Sequence, residues 1–364
     1  MISPLEQVAM AGQSVWSDQI SRQMLDSGEL ARRIDQDAVT GVTSNPSIFA
    51  KAIVGSNDYE AQLRELAQRG ASAHEVIAAL MGADIQRACD ALATVHRDTD
   101  GRDGYVSVEV TPTLAHDTEA TVAEAREWVK RIDRPNLLVK VPATEAGIPA
   151  IAQLIGEGIS INVTLIFSLD RYRAVMGAYL DGIEQFVEAA GAASQVASVA
   201  SFFVSRMDVE VDRRLSDIGT DTAVSLQGRT AIANTQLAYE AFLDTFRGER
   251  WERLVAAGAR IQRPLWASTS TKNPSFPDTL YVHELIAPHT VNTMPLETID
   301  AYQDHGPRPV AFGPEEIAAA HATLRAMADA GVDYADVMEV LETEGVDKFI
   351  ASWNDLVSDV ESQL

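Results

Sequence analysis

Leu137-Leu138-Val139-Lys140-Val141-Pro142 is an apolar run of strand-forming length broken by a single cation. The chain holds only five lysines against twenty-four arginines, so a lysine in that setting needs a reason. An ammonium surrounded by leucine and valine is desolvated, and desolvation favours the neutral amine, which is a nucleophile. Arginine stays protonated in water and cannot do this work. The run reads in two ways: a Schiff-base lysine for a carbonyl substrate, or a strand-end lysine whose stem is buried and whose head snorkels to water.

Outward from this run the same kind of segment recurs. Aliphatic or β-branched stretches near 13–18, 38–44, 104–110, 136–141, 159–166, 196–203, 263–268 and 289–293 predict eight strands. Between them lie helical patterns, among them Thr118–Arg131, Glu145–Gly156, Leu169–Ala190 and Ala223–Ala257. Strand and helix in alternation imply a parallel sheet, and eight units closing on themselves predict an α/β fold, a single (β/α)8 TIM barrel over residues 1–364. No fixed-period repeat or low-complexity linker divides the chain. An open doubly wound sheet is the alternative, but no GxGxxG follows a strand and no GxxxxGK[ST] occurs, which weakens a nucleotide-binding reading. Residues 310–364, with helical stretches near 314–330 and 334–343, read as additional C-terminal helices packed on the barrel or on a partner chain.

Composition narrows the function. With 46% hydrophobic residues the chain can bury a large core. No apolar stretch approaches the ~20 residues of a membrane span, and the first residues lack the order of a signal peptide, so a cytoplasmic protein without a membrane partner is expected. The net charge of −24, from 53 acidic and 29 basic residues, argues against nucleic acid, whose binding rests on lysine and arginine at phosphates. Cys89 is the only cysteine, which excludes an internal disulfide and a cysteine-cluster metal site; it reads as a small core residue on a helix. His74-Glu75 and His283-Glu284 begin like HExxH, but Ala78 and Ala287 stand where the second histidine belongs, leaving surface histidines and no metal pair. There is no GxSxG serine elbow.

Side chains alternate faces along a strand. From Tyr105 to Thr111 the count sends Val106, Val108 and Val110 to the outer helices and Ser107, Glu109 and Thr111 inward. From Ile159 to Ile166 it leaves Ser160, Asn162 and Thr164 beside the lysine strand. The same parity joins Thr43 to Asn45, Ser201 to Phe203, Ser268 to Ser270, and Asp18 to Trp16. Arg206 and Lys272 follow the sixth and seventh strands, Lys272 behind the hydroxyl-rich Ser268-Thr269-Ser270-Thr271, a loop suited to a phosphate. Each residue also has a plainer role. Asn45 before Pro46 fits a helix cap, Glu109 a salt-bridged strand end, Thr164, Ser201 and Ser268 ordinary filling, Arg206 and Lys272 solvated charge. Gathered at strand C-termini around one lysine, where barrel active sites lie, they favour a site.

Four segments, Gly41-Val42-Thr43-Ser44-Asn45-Pro46-Ser47, Val139-Lys140-Val141-Pro142-Ala143-Thr144-Glu145-Ala146-Gly147, Asn162-Val163-Thr164-Leu165-Ile166-Phe167-Ser168 and Ser201-Phe202-Phe203-Val204-Ser205-Arg206-Met207-Asp208, stand in this order. Through them the chain resembles the transaldolase family, in the longer form found in actinobacteria and cyanobacteria. The resemblance implies a TIM barrel with Lys140 as imine-forming lysine, Asp18 as base for carbon–carbon cleavage, and Glu109 as acid/base through a water held by Thr164. It implies Asn45 and Asn162 as ligands of substrate hydroxyls, and Ser201, Arg206 and Ser268 as phosphate ligands. The chain departs from the family pattern at Ser270, where many members carry arginine; Lys272 is the candidate replacement. Phe203 stands where the related fructose-6-phosphate aldolases carry tyrosine, which favours transfer over simple aldol cleavage.

The reaction so implied belongs to the pentose phosphate pathway. A dihydroxyacetone unit passes from sedoheptulose 7-phosphate or fructose 6-phosphate to glyceraldehyde 3-phosphate or erythrose 4-phosphate, with no metal or organic cofactor, in a monomer or homodimer. The alternatives are a fructose-6-phosphate aldolase-like enzyme and a catalytically silent sugar-phosphate-binding barrel.

Overall fold

β4 (Leu137–Pro142) pairs in parallel with β3 (Tyr105–Glu109) on one side and β5 (Ile161–Ile166) on the other. The computed structural model describes residues 2–364 and continues this pairing through β1 (Gln13–Ser17), β2 (Val39–Val42), β6 (Ser198–Phe203), β7 (Arg263–Ala267) and β8 (Thr290–Met294). The eight parallel strands close into a barrel in sequence order, as the alternation of segments predicts. Every strand residue except Thr40 is buried, because helices cover the outside and side chains fill the inside.

The lower interior is a polar plug. Arg263 Nη2 donates to Ser14 Oγ at 2.6 Å, and Nη1 meets Asp103 Oδ1 at 3.2 Å. Ser14 Oγ and Trp16 Nε1 both donate to the same Asp103 carboxylate, at 2.6 and 2.9 Å. A buried ion pair with its remaining valences satisfied closes the barrel axis at this end. Gly41 on β2 is required by the plug, since a Cβ there would lie 2.4 Å from the Trp16 ring.

Four expectations need correction. Thr111 lies past the end of β3 and its hydroxyl donates to Glu124 on the helix Thr118–Ile132, outside the barrel. Ser160 precedes β5 and its hydroxyl accepts from the Ala197 amide at the lower rim. The segment 223–257 is three helices, Asp221–Val224, Thr230–Thr245 and Gly248–Ala256, because Gly228 (φ 71°) and Gly248 (φ 79°) turn through the left-handed region between them. The last helix is much longer than 334–343 and runs from Tyr334 to Glu361.

That terminal helix is capped by Asp333 and fixed across the C-terminal mouth of its own barrel. Tyr334 Oη donates to Asn234 Oδ1 at 2.9 Å, Glu342 accepts from Arg171 at 3.1 Å, and Ser352 meets Ser47 at 2.8 Å. Cys89 is buried in the core, on the helix Ala73–Asp98. Among the described residues no helix is long and apolar enough to cross a membrane.

Candidate active site

Lateral register brings the first site residues together. Glu109 on β3 is opposite Lys140 on β4, and Lys140 is opposite Asn162 on β5. Lys140 is 5% exposed, so its ammonium does not reach bulk water along a snorkelling stem. Its Nζ lies 3.2 Å from Glu109 Oε2 and donates to the Ser44 carbonyl, also at 3.2 Å. Glu109 uses one oxygen in this pair; Oε1 is buried without a partner, as is the hydroxyl of Thr164, which stands opposite Pro142. Burial pushes the Glu109 carboxyl above the usual carboxylate range, against the pull of Lys140 and Arg206.

Asn162 is held from two sides. Its Nδ2 donates to Ser107 Oγ at 3.0 Å and its Oδ1 accepts from Ser201 Oγ at 2.7 Å. Ser201 is therefore below the cavity and turned toward Asn162, whereas Phe203, two residues on, reaches the cavity wall. Asn45 has the capping role weighed for it, its Oδ1 accepting from the Ile48 amide at 3.0 Å at the start of the helix Pro46–Val54, and the residue also lines the cavity.

Above Lys140 opens a cavity of about 360 Å³ lined by Asp18, Asn45, Lys140, Phe203, Arg206, Ser268 and Lys272. Asp18 follows β1, and burial together with the nearby Glu297 pushes its carboxyl up to about 6. The Arg206 guanidinium lies between two aromatic faces, 5.1 Å from the Phe203 ring and 5.6 Å from Phe349, with Nη1 buried and unpartnered. Ser268 sits at φ 58°, and its hydroxyl pairs with Ser205 Oγ at 2.8 Å. Lys272 is exposed at the rim, its Nζ donating to Ser270 Oγ at 2.5 Å. The cavity thus brings the Lys140 amine and the Asp18 carboxyl together with the cations Lys51, Arg206 and Lys272. A ketose phosphate needs both. Among the described residues no group of histidine, cysteine, aspartate and glutamate is placed to hold a metal ion.

Three charged or aromatic lining residues were not singled out by the sequence. Lys51 is on the helix that Asn45 caps, so three of the five lysines face one cavity. The scarcity that singles out Lys140 and Lys272 applies equally to it. Glu297 follows β8 and was findable as a strand-end acid. Phe349 comes from the terminal helix, where its ring is 5.8 Å from Lys140 Nζ, and no local signal marks it.

The chain is similar along nearly its whole length to known proteins. The family model described as "Transaldolase/Fructose-6-phosphate aldolase" matches residues 15–360. The chain is 56% identical to a transaldolase of Thermobifida fusca over 364 residues, covering 100% of this chain and 99% of the relative. It is 54% identical to a transaldolase of Parafrankia sp. over 364 residues, with 100% and 99% covered. To transaldolase 2 of Streptomyces coelicolor it is 50% identical over 368 residues, with 100% and 98% covered.

Proposed function

This chain belongs to the transaldolase/fructose-6-phosphate aldolase family, and from that premise we propose how it works: as a transaldolase it passes a dihydroxyacetone unit between sugar phosphates, with Lys140 as the imine-forming residue. The observation that carries this reading is the buried Lys140–Glu109 pair at a cavity that Arg206 and Lys272 also line.

The pair is a proton-transfer device. The raised affinity of Glu109 for a proton favours transfer from the ammonium to the carboxylate, which leaves a neutral amine to attack C2 of the ketose. Loss of the C2 oxygen as water then requires a proton donor, and protonated Glu109 supplies it through a water shared with the Thr164 hydroxyl, a reading supported by Oε1 and that hydroxyl each being buried without a protein partner. The resulting iminium withdraws electrons from the C3–C4 bond. Asp18, ionised above about pH 6, takes the C4 hydroxyl proton as that bond breaks. The aldose phosphate leaves with the new carbonyl, and the three-carbon enamine stays on Lys140 until an acceptor aldehyde arrives. Asn45 and Asn162 orient the hydroxyls. Arg206, Ser268 and Lys272 hold the phosphate, and Ser201 positions Asn162. The iminium itself is the electron sink, so the sequence of steps uses no metal or organic cofactor.

Phe203 separates this reading from free aldol cleavage. Its ring packs against Phe167 at 5.3 Å between centroids and beneath Arg206, and it offers no hydroxyl to orient water at the enamine. The partners are small sugar phosphates; the −24 charge disfavours nucleic acid. The test is borohydride reduction in the presence of fructose 6-phosphate, with the modified residue mapped. A stable three-carbon adduct on Lys140, absent in Lys140→Arg, is the expected result. A protein that binds the sugar but gives no adduct is a silent binding barrel, and an adduct on another lysine displaces Lys140 from its role.

A further inference from the structure

The N-terminal end of the barrel, opposite the cavity above Lys140, is concave as well. A basin of about 330 Å³ opens there among Arg102, Arg260, Arg263 and His289, under the starts of β3, β4, β6 and β7. A second hollow of about 310 Å³ shares Asp100, Gly101, Tyr105 and Arg260 with it and adds His96 and Arg97. We propose that this basal basin is a binding site for a small phosphate anion, free or as the terminal phosphate of a metabolite, distinct from the sugar-phosphate cavity.

Charge is the first support. In a chain of net charge −24, four arginines and two histidines converge on one end of the barrel against three carboxylates, of which Asp98 is paired with Arg97 at 3.1 Å. Asp103 is already saturated by Arg263, Ser14 and Trp16 within the plug. Asp100 is fully exposed and stands 3.8 Å from Arg260, a screened contact that an anion can replace. Among the described residues Arg102 has no carboxylate within ion-pair distance. Arg263 spends its N–H groups on Asp103, Ser14 and the carbonyls of Arg102, His289 and Thr290, so it adds charge and no free donors. Arg102, Arg260 and His289 remain as donors.

Both imidazoles register the uncompensated positive field. Burial and then Arg260 hold His96 below the ordinary histidine range; burial and then Arg102 and Arg263 do the same for His289. A dianion in the basin reverses that field and favours the imidazolium at each, so binding and proton uptake are linked.

Preorganisation is the second support. Arg260 Nε donates to the Ser194 carbonyl at 2.6 Å, which fixes the guanidinium plane. The rim loop is locked by Asp100 (φ 51°), Gly101 (φ 68°) and Gly104 (φ 84°), and by Tyr105 Oη donating to the Gly101 carbonyl at 2.6 Å. A Cβ on Gly104 would lie 2.2 Å from the His96 amide nitrogen, so loop and histidine are in direct contact. Cations held in place before the ligand arrives bind it with less loss of side-chain freedom.

The experiment is histidine-ring NMR on the full-length protein, with His96 and His289 assigned by His→Gln variants. Inorganic phosphate, glycerol 3-phosphate and chloride are titrated in parallel at matched ionic strength. The expected result is that the His96 and His289 titration midpoints rise together along one saturating curve with inorganic phosphate, with the monoester, or with both, which identifies the source. Arg102→Ala and Arg260→Ala should each weaken that curve about tenfold, the loss of one charge-assisted contact, while Arg206→Ala leaves it in place. The proposal is overturned if chloride gives the same shifts, if neither phosphate moves the two histidines, or if Arg206→Ala abolishes the response. The readout is independent of turnover, so its failure leaves the Lys140 chemistry untouched.

Discussion

Glu109, buried, and Asp18, half-buried, are carboxyls of raised proton affinity to which the proposed mechanism gives opposite tasks. In that proposal Glu109, hydrogen-bonded to Lys140, moves protons at C2, and Asp18 acts at C4. Glu109→Gln keeps the shape and the contact with Lys140 but carries no transferable proton, so turnover should fall roughly 10²–10⁴-fold with donor affinity little changed. A variant whose only defect is weaker donor binding reassigns Glu109 to structure. For Asp18 the sign of the pH effect is fixed by its raised pKa. The native state binds this proton more tightly than the unfolded chain, so the stability linked to it is complete below the ordinary carboxylate range and is lost as pH rises through about 6. Asp18→Asn should therefore be nearly neutral for stability at pH 4 and stabilising by roughly 1–3 kcal/mol at pH 8, while transfer is lost at both. Denaturant melts at the two pH values check this, and equal effects at both remove the linkage. In the wild type, kcat/KM should decline on the acid side with a midpoint near 6.

At the scale of elements, the terminal helix contributes more to the site than its position in the chain suggests. Phe349 shares the Arg206 guanidinium with Phe203 and faces Lys140. Phe349→Leu keeps most of the volume and removes the ring. Loss of a desolvated cation–π contact of about 0.5–2 kcal/mol should lower kcat/KM for phosphorylated donors two- to thirtyfold, measured beside a melting curve to separate folding from function. No change in kcat/KM with a lowered melting temperature would make Phe349 packing alone. The eight strands were legible because aliphatic runs alternating with helices leave few other architectures, and period-two parity put Glu109, Asn162 and Thr164 beside the lysine that its apolar run singled out. Parity fails where the strand stops being regular. Thr111 lies past its strand, and Leu165 at φ 59° shifts the register of β5 between Val163 and Ile166. Ser201 kept its face but took Asn162 as partner, a tertiary choice no spacing encodes. Phe349 was invisible for the same reason: a helix crossing the mouth from outside the strand-helix repeat has no register relation to the residues it meets.

For the molecule as a whole, an acidic body surrounds a cavity in which Lys51, Arg206 and Lys272 are gathered. Attraction to a substrate phosphate there competes with repulsion from the rest of the surface, and salt screens exposed charges on both sides of that balance. Lys272, exposed at the rim, should show it: Lys272→Ala is expected to weaken phosphorylated donors roughly ten- to a hundredfold and dihydroxyacetone-type donors without phosphate far less. Equal losses for both donor types would make Lys272 a loop support. In the wild type, KM for the phosphorylated donor should rise with ionic strength while KM for the unphosphorylated one stays flat, checked by steady-state assays in matched buffers.

The order of synthesis gives the terminal helix another consequence. The strands are complete at Met294, but the ring that roofs Lys140 belongs to residue 349, so a barrel can close on the ribosome while its roof is still inside the exit tunnel. Such a nascent chain is expected to carry its amine and carboxyls at the cavity, with Arg206 lacking one of its two aromatic walls and the amine more open to water. A chain cut short of residue 349 is therefore expected to turn over more slowly than the full-length protein, checked by assaying it beside its melting curve.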